Sequence, residues 1–238
     1  MKRAFLDRAL AVSRSGRSAA LVTHLKSGQH ALVDRDSVEG DLQLDPAAVG
    51  AVRVAIRDDR SATVETPGGR LFVEVFNPPL RLIVVGAVHA AQPLARIAAI
   101  AGYAVTIVDP RSAFATEERF PGVALSTDWP DEAMPRLKPD RRTAIVTLTH
   151  DPKIDDPALT VALKSDAFYI GALGSKRTHA GRSQRLKDAG FADADIARIH
   201  GPVGLDIGAL TPSEIAVSIL AQITQVLRAD RIKARAAA

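Results

Sequence analysis

The stretch RLIVVGAVHAAQPLARIAAIAGYAVTIVDPR, from Arg81 to Arg111, constrains the fold more than any other part of the chain. Arg81 to Val85 is a short apolar run of the kind buried on both faces of a sheet. Gly86 ends it. Ala90 to Ala101 then carries apolar residues at helical spacing: Ala91, Leu94, Ala95, Ala98 and Ala101. Gly102 suits a helix C-terminus, because glycine enters the left-handed region without steric cost. Val105 to Val108 reads as a second strand ending on Asp109. Two strands joined through a helix in this way run parallel, which predicts an α/β sheet.

The turn GAVHAA (86–91) nearly matches the dinucleotide fingerprint G-x-G-x-x-G/A. Gly86 and Ala91 fill the outer positions, but Val88 stands where the second glycine lets a pyrophosphate reach the backbone. Its branched side chain is expected to crowd a diphosphate. Asp109 is placed to accept a ribose hydroxyl, as an acid at the second strand's end does in such folds; alternatively it caps the turn before Pro110. Gly86, His89, Asp109 and Arg111 are the candidates for ligand contact at this end.

The flanking chain supports one organisation. Residues 1 to about 15 predict an amphipathic helix with Phe5, Leu6, Ala9 and Leu10 inward. Short β-prone segments follow at Ala19 to Leu25, His30 to Val33, Ala62 to Glu65 and Leu71 to Phe76. Between them Asp45 and Pro46 cap and open a helix reaching Asp58. Asn77-Pro78-Pro79 holds the chain extended and removes backbone donors. The prediction is a small α+β domain over 1–77 and a Rossmann-like domain over 80–238, its parallel sheet covered by helices on both faces.

Beyond Arg111, residues 112–122 are polar and mixed, and predict an irregular loop. Strands are expected at Gly122 to Ser126, Thr143 to Thr149 and Ala167 to Gly171, and helices at Pro130 to Leu137 and Asp156 to Lys164. Asp156 is read as the N-cap of the last of these, with Pro157 at its first position. The loop GALGSKRTH (171–179) joins a strand end to a helix running to Ala189. Gly171 and Gly174 allow unusual backbone angles, and Ser175 can cap the helix. Lys176 and Arg177 add charge where exposed helix-start amides already attract anions. The spacing is not that of a P-loop. The competing reading is a basic, solvated first turn. His150 and Asp151 close the central strand run, and Asp206 sits among the glycines of HGPVGLDIGALTPSE (200–214), whose Thr211 to Glu214 form a capping box. The tail RADRIKARAAA is expected to fray.

Composition excludes several functions. The 238 residues contain no cysteine, so disulfides, thiolate catalysis and cysteine-ligated metals are absent from this chain. Net charge is only +4 and aromatics are 4%, which argues against nucleic-acid binding. No apolar run spans a bilayer, and MKRAFLDRAL is too charged for a signal-peptide core, so a cytoplasmic protein is expected. No nucleophile elbow is present, and no pair of the six histidines has metal-ligand spacing. His89, His150, His179 and His200 could nevertheless face one cleft.

The segments GAVHAAQ, GYAVTIVDPR, FATEERFPG, TLTHD, FYIGALGSKRTH and IHGPVGLDIGALTPSEIAVSILAQI resemble the xanthine dehydrogenase accessory family, XdhC/CoxI, from about Leu80 to Leu227. The resemblance implies a Rossmann-type domain in a chaperone, not a turnover enzyme. Such a chaperone binds molybdenum cofactor (molybdopterin), protects it during sulfuration and passes it to an apo molybdenum hydroxylase such as xanthine dehydrogenase. A cysteine desulfurase is a further partner of this kind of pathway, and a homodimer is left open. The candidate cofactor-binding residues are then Gly86, His89, Asp109, Arg111, His150, Asp151, Gly171, Gly174, Ser175, Lys176, Arg177 and Asp206, with no metal ligand of the chain's own. Two features depart from the family pattern. Many members have glycine in place of Val88, and fuller members carry a longer N-terminal region with a cysteine. An NAD(P)-linked oxidoreductase on the same Rossmann unit is the alternative.

Overall fold

A computed structural model describes residues 3–229. Its contacts divide the chain into two compact units, Met1–Pro78 and Pro79–Ala238.

The first unit runs α1 (Arg3–Arg14), β1 (Ala19–His24), β2 (His30–Asp34), β3 (Val38–Gly40), α2 (Pro46–Arg57), β4 (Ala62–Thr66) and β5 (Gly69–Phe76). Its strands form an antiparallel sheet in the order β3-β2-β1-β5-β4. Alternation along the strands sends Ala20, Val22, Ala31, Val33, Leu71 and Val73 to one face, where α2 adds Ala48, Val52 and Ile56. Asp45 caps α2 through its side chain, accepting from the Ala48 amide at 2.7 Å. The helix expected from residue 1 is seen from Arg3, packed through Phe5, Ala9 and Val12 on Ala19 and Leu32. Met1 and Lys2 lie outside the described residues.

The second unit follows as β6 (Arg81–Val85), α3 (Ala91–Ile100), β7 (Ala104–Val108), β8 (Ala124–Ser126), α4 (Pro130–Leu137), β9 (Thr143–Thr147), α5 (Pro152–Leu163), β10 (Tyr169–Ala172), α6 (Lys176–Asp188), α7 (Asp193–Ile196), β11 (Ile199–His200) and α8 (Pro212–Leu227). All six strands are parallel, in the order β11-β10-β9-β6-β7-β8. Read by sequence within the unit this is 3-2-1-4-5-6, the doubly wound order.

Both faces are buried. Leu82, Val84, Ile107, Ala144 and Val146 point toward α3 and α8, which supply Leu94, Ala98, Ile219 and Ile223. Ile83, Val85, Ile145 and Ile170 point the other way, against Met134, Ile154, Leu159, Leu186 and Ile196. Period-two alternation of apolar residues on both sides explains why these strands read as unbroken hydrophobic runs.

One boundary differs from the sequence reading. The helix expected at Pro157 begins five residues earlier. Pro152 occupies its first position, and Asp151 caps it by accepting from the Lys153 amide at 2.9 Å. Pro157 lies inside the helix and forgoes one backbone bond. Burial of Ile154 and Asp155 holds the extra turn in place. The short elements β3, α7 and β11 were not expected either; each has too few residues for a periodicity to show. The fraying expected of the tail falls mostly on residues 230–238, outside the described range.

The glycine loop after β11 is docked between β10 and α8. The amides of Val203 and Leu205 donate to Ala172 and Ser218 carbonyls at 3.1 Å each, and Gln222 Oε1 accepts from both Tyr169 Oη, at 2.5 Å, and the Gly204 amide, at 2.9 Å. Tyr169 also stacks on His200, ring centroids 4.8 Å apart. Gly171 makes this docking possible, because a Cβ there would lie 2.5 Å from Val203 Cγ2 and 2.8 Å from the Tyr169 ring. Gly171→Ala should therefore destabilise the protein by about 1–3 kcal/mol through overpacking, read as a lower urea midpoint.

Candidate functional site

In a doubly wound sheet, neighbouring strands whose crossovers leave in opposite directions have a crevice outside their C-terminal ends. Here those strands are β6 and β9. Six loops leave this edge of the sheet, and those after β6, β7, β9, β10 and β11 carry the candidate residues.

At the tip of β6, Gly86 has φ 108°, and its amide donates to the Val108 carbonyl at 2.8 Å. A Cβ at this position would be 2.5 Å from Thr149 Cγ2, so the loop after β9 rests directly on the turn. Val88 packs partly buried against the core shared by α3 and α8. The start of α3 has no capping side chain at Ala90. His89 is exposed beside it.

Asp109, at the tip of β7, is fully buried. Its Oδ2 accepts from the Ala87 amide and from Arg111 Nη2, both at 2.7 Å; its Oδ1 accepts from the Arg111 amide and Nε, both at 2.9 Å. Burial pushes the carboxyl up, but the bonds from Arg111 and from the Ala87 and Arg111 amides outweigh it and hold the acidity below the ordinary value. The sequence leaves this carboxylate two roles, a ribose hydroxyl contact or a cap of the turn before Pro110. In the structure it braces the turn from beneath, with four donors already on its two oxygens. Arg111, in contrast, keeps Nη1 uncommitted and is 39% exposed, with its guanidinium carbon 4.7 Å from the Phe114 ring centre. Arg119 lies over the same ring at 5.7 Å and donates to the Phe114 carbonyl at 2.6 Å. The loop predicted as irregular therefore presses Arg111 into one orientation.

After β9, His150 adopts a left-handed φ of 64° and is exposed, as is Asp151. Thr149 Oγ1 accepts from the Asp151 amide at 3.1 Å and itself donates to Asp155 Oδ1 at 2.6 Å. After β10, Gly174 has φ 141°, and a Cβ there would come within 2.9 Å of Thr178 Cγ2. Ser175 caps α6 by accepting from the Thr178 amide at 3.1 Å. The side chains of Lys176 and Arg177 are exposed and make no hydrogen bond or ion pair among the described residues. Asp206 is likewise exposed and without a partner among them. Gly171 is buried within β10 and serves packing, as described above.

The structure thus gathers Gly86, Asp109 and Arg111 around one turn, with Thr149, the residue before His150 and Asp151, resting on Gly86. Gly174, Ser175, Lys176 and Arg177 form a second group two strands away from β6. His179 lies against Gly201, with Nδ1 buried and unpartnered, and burial lowers the basicity of both His179 and His200. Among the described residues, no group of three or more His, Asp or Glu could hold a metal ion, and no helix is long and apolar enough to cross a membrane. Sequence reasoning missed Asp155 and Arg182, each 1% exposed, which lie between the two groups. An arginine seven positions into a helix gives no local sign that it is buried.

Comparison with known proteins decides the family. The model described as the XdhC Rossmann domain matches residues 82–223. The chain belongs to the XdhC family. Among curated relatives, a probable xanthine dehydrogenase subunit of Bacillus subtilis (strain 168) is 35% identical over 156 residues, 65% of this chain and 45% of that protein. "Molybdenum cofactor insertion chaperone PaoD" of Escherichia coli (strain K12) is 33% identical over 151 residues, 63% of this chain and 41% of that protein. A crystal structure titled as a xanthine dehydrogenase from Bacillus halodurans superposes with a TM-score of 0.73 at 27% identity, covering 95% of this chain and 65% of that one. This XdhC chain spans less than half the length of those curated relatives.

The Asp109 brace has a pH signature. Its folded-state pKa lies below the unfolded value of about 3.9, so its contribution is complete above that pH and is lost as pH falls through the lower folded value. Asp109→Asn should lower stability near neutrality by about 1–3 kcal/mol and flatten the loss as pH falls below about 4. Urea midpoints measured across that range check both parts.

Proposed function

We propose that this chain is a carrier of molybdenum cofactor that assists its sulfuration and insertion into an apo molybdenum hydroxylase such as a xanthine dehydrogenase. A cysteine desulfurase would supply the sulfur, since the chain has no cysteine to carry it. A cytoplasmic setting is part of this reading. The observation that carries it is membership of the XdhC family together with two uncommitted cations at a helix start on the binding edge of the sheet.

The residues suit this cargo chemically. The cofactor is a pterin with a phosphate tail, and its metal arrives with dithiolene sulfurs attached. A carrier needs an anion site and a polar wall more than it needs metal ligands. Lys176, Arg177 and the amides around Gly174 and Ser175 would hold the phosphate, where the helix dipole and charge-assisted hydrogen bonds act together. Arg111 Nη1, His150 and Asp151 would face the pterin. Asp109 and Gly86 would act indirectly, by fixing the turn on which those groups stand. The same geometry argues against the NAD(P)-linked oxidoreductase: Asp109 has no free acceptor for a ribose diol, and Val88 replaces the glycine that a pyrophosphate needs.

The test is purification from a molybdenum-replete host. Molybdenum and pterin should co-purify with the wild-type chain, and bound nicotinamide nucleotide in their place would overturn the proposal. Arg177→Ala should weaken cofactor binding roughly 10- to 150-fold, the equivalent of one charge-assisted hydrogen bond of about 1.5–3 kcal/mol. The loss should be larger at low salt than at high salt, because screening already weakens exposed charges. Calorimetric titration with NAD or NADP should show no micromolar binding.

A further inference from the structure

Helices α5 and α6 are joined by two ion pairs of different construction. The outer pair is self-sufficient. Arg185 Nε and Nη2 meet Asp156 Oδ2 and Oδ1 at 2.5 and 3.0 Å, a bidentate pair at the surface. The inner pair, three residues earlier on α6 and one earlier on α5, is fully buried, yet its closest approach is 3.7 Å, from Arg182 Nη2 to Asp155 Oδ2. That is too long for a charge-assisted hydrogen bond of about 2.7–2.9 Å.

The hydrogen bonds of the inner pair go elsewhere. Asp155 accepts from Thr149 Oγ1 at 2.6 Å, and from the amides of Thr149 and His150 at 3.4 and 3.2 Å. Arg182 Nη2 donates to the Leu173 carbonyl at 2.8 Å. One partner therefore holds the loop after β9 and the other the loop after β10. Arg182 Nε and Nη1, and Thr147 Oγ1 on β9, have no hydrogen-bond partner among the described residues. Burial raises the Asp155 carboxyl, only partly offset by Thr149 and Arg182, and lowers Arg182. An incompletely bonded buried pair costs stability, and apolar residues of similar volume often do as well or better. Packing alone therefore does not account for it.

We propose that Arg182 and Asp155 are positioning residues: an internal strut that holds the loops carrying Thr149–Asp151 and Leu173–Arg177 in one fixed relation, at a cost in stability. Its use in cofactor binding rests on the function proposed above; its effect on the loops does not.

Three variants test this by thermal unfolding, amide hydrogen exchange and cofactor content. Arg182→Met leaves Asp155 buried and unpaired, and should lower the thermal transition markedly. Arg182→Met combined with Asp155→Leu should recover the wild-type transition. In that double variant, amides of 149–151 and 173–178 should still exchange at least about tenfold faster, and less molybdenum and pterin should co-purify. Arg182→Lys, which keeps the charge but not the fork, should fold and release mainly the 173–178 segment. Wild-type exchange in both loops of the double variant would overturn the proposal, as would wild-type exchange of 173–178 in Arg182→Lys. A wild-type chain that carries no cofactor would sink the carrier reading and leave the exchange arms to decide the strut.

Discussion

A parallel sheet buried on both faces leaves polar chemistry only at the ends of its strands. Leu82 and Val84 face one core while Ile83 and Val85 face the other, so no position along β6 is open to a ligand until Gly86. The reversal of strand order between β6 and β9 then leaves two adjacent tips uncovered by a crossover. Every candidate residue of the second unit lies at that edge, on a loop or in the first turn of α6, apart from Gly171 inside β10.

Within that edge the buried acids are bonded to the loops themselves and set their geometry. Asp109 ties the turn after β6 to Arg111 beyond β7, and Asp155 ties the loop after β9 to helix α5. Both carboxylates are buried and both accept backbone amides. Their pKa values move in opposite directions because Asp109 has a close bidentate arginine and Asp155 does not. The uncommitted charges, Lys176, Arg177 and the outer edge of Arg111, are left facing solvent. The proposed carrier role is well served by exposed cations on a rigid base, since such a base removes the ordering cost from each binding event.

Much of this was legible in the sequence. The βαβ unit from Arg81 to Arg111, the capping of α6 by Ser175 and the capping box at Thr211 are local patterns: apolar spacing and short side chains that bond neighbouring amides. The same locality makes the family recognisable, since its motifs are the loops at the strand ends. The misplaced start of α5 shows where local reading stops. Asp-Pro occurs at both 151–152 and 156–157, and only burial of Ile154 and Asp155 selects the first.

What the sequence by itself determined is the longer elements, the parallel pairing of the second unit and the cations offered after β10, because each follows from residues within one turn or strand of one another. Tertiary structure alone decided the roles of the charged groups. Of the two readings open for Asp109, the structure shows the brace of the turn; Arg182, which no local pattern singles out, is buried and donates to the Leu173 carbonyl. Whether a charge faces water or the interior depends on which strands lie side by side. That order is set by long-range packing of two apolar faces, and spacing along the chain does not record it.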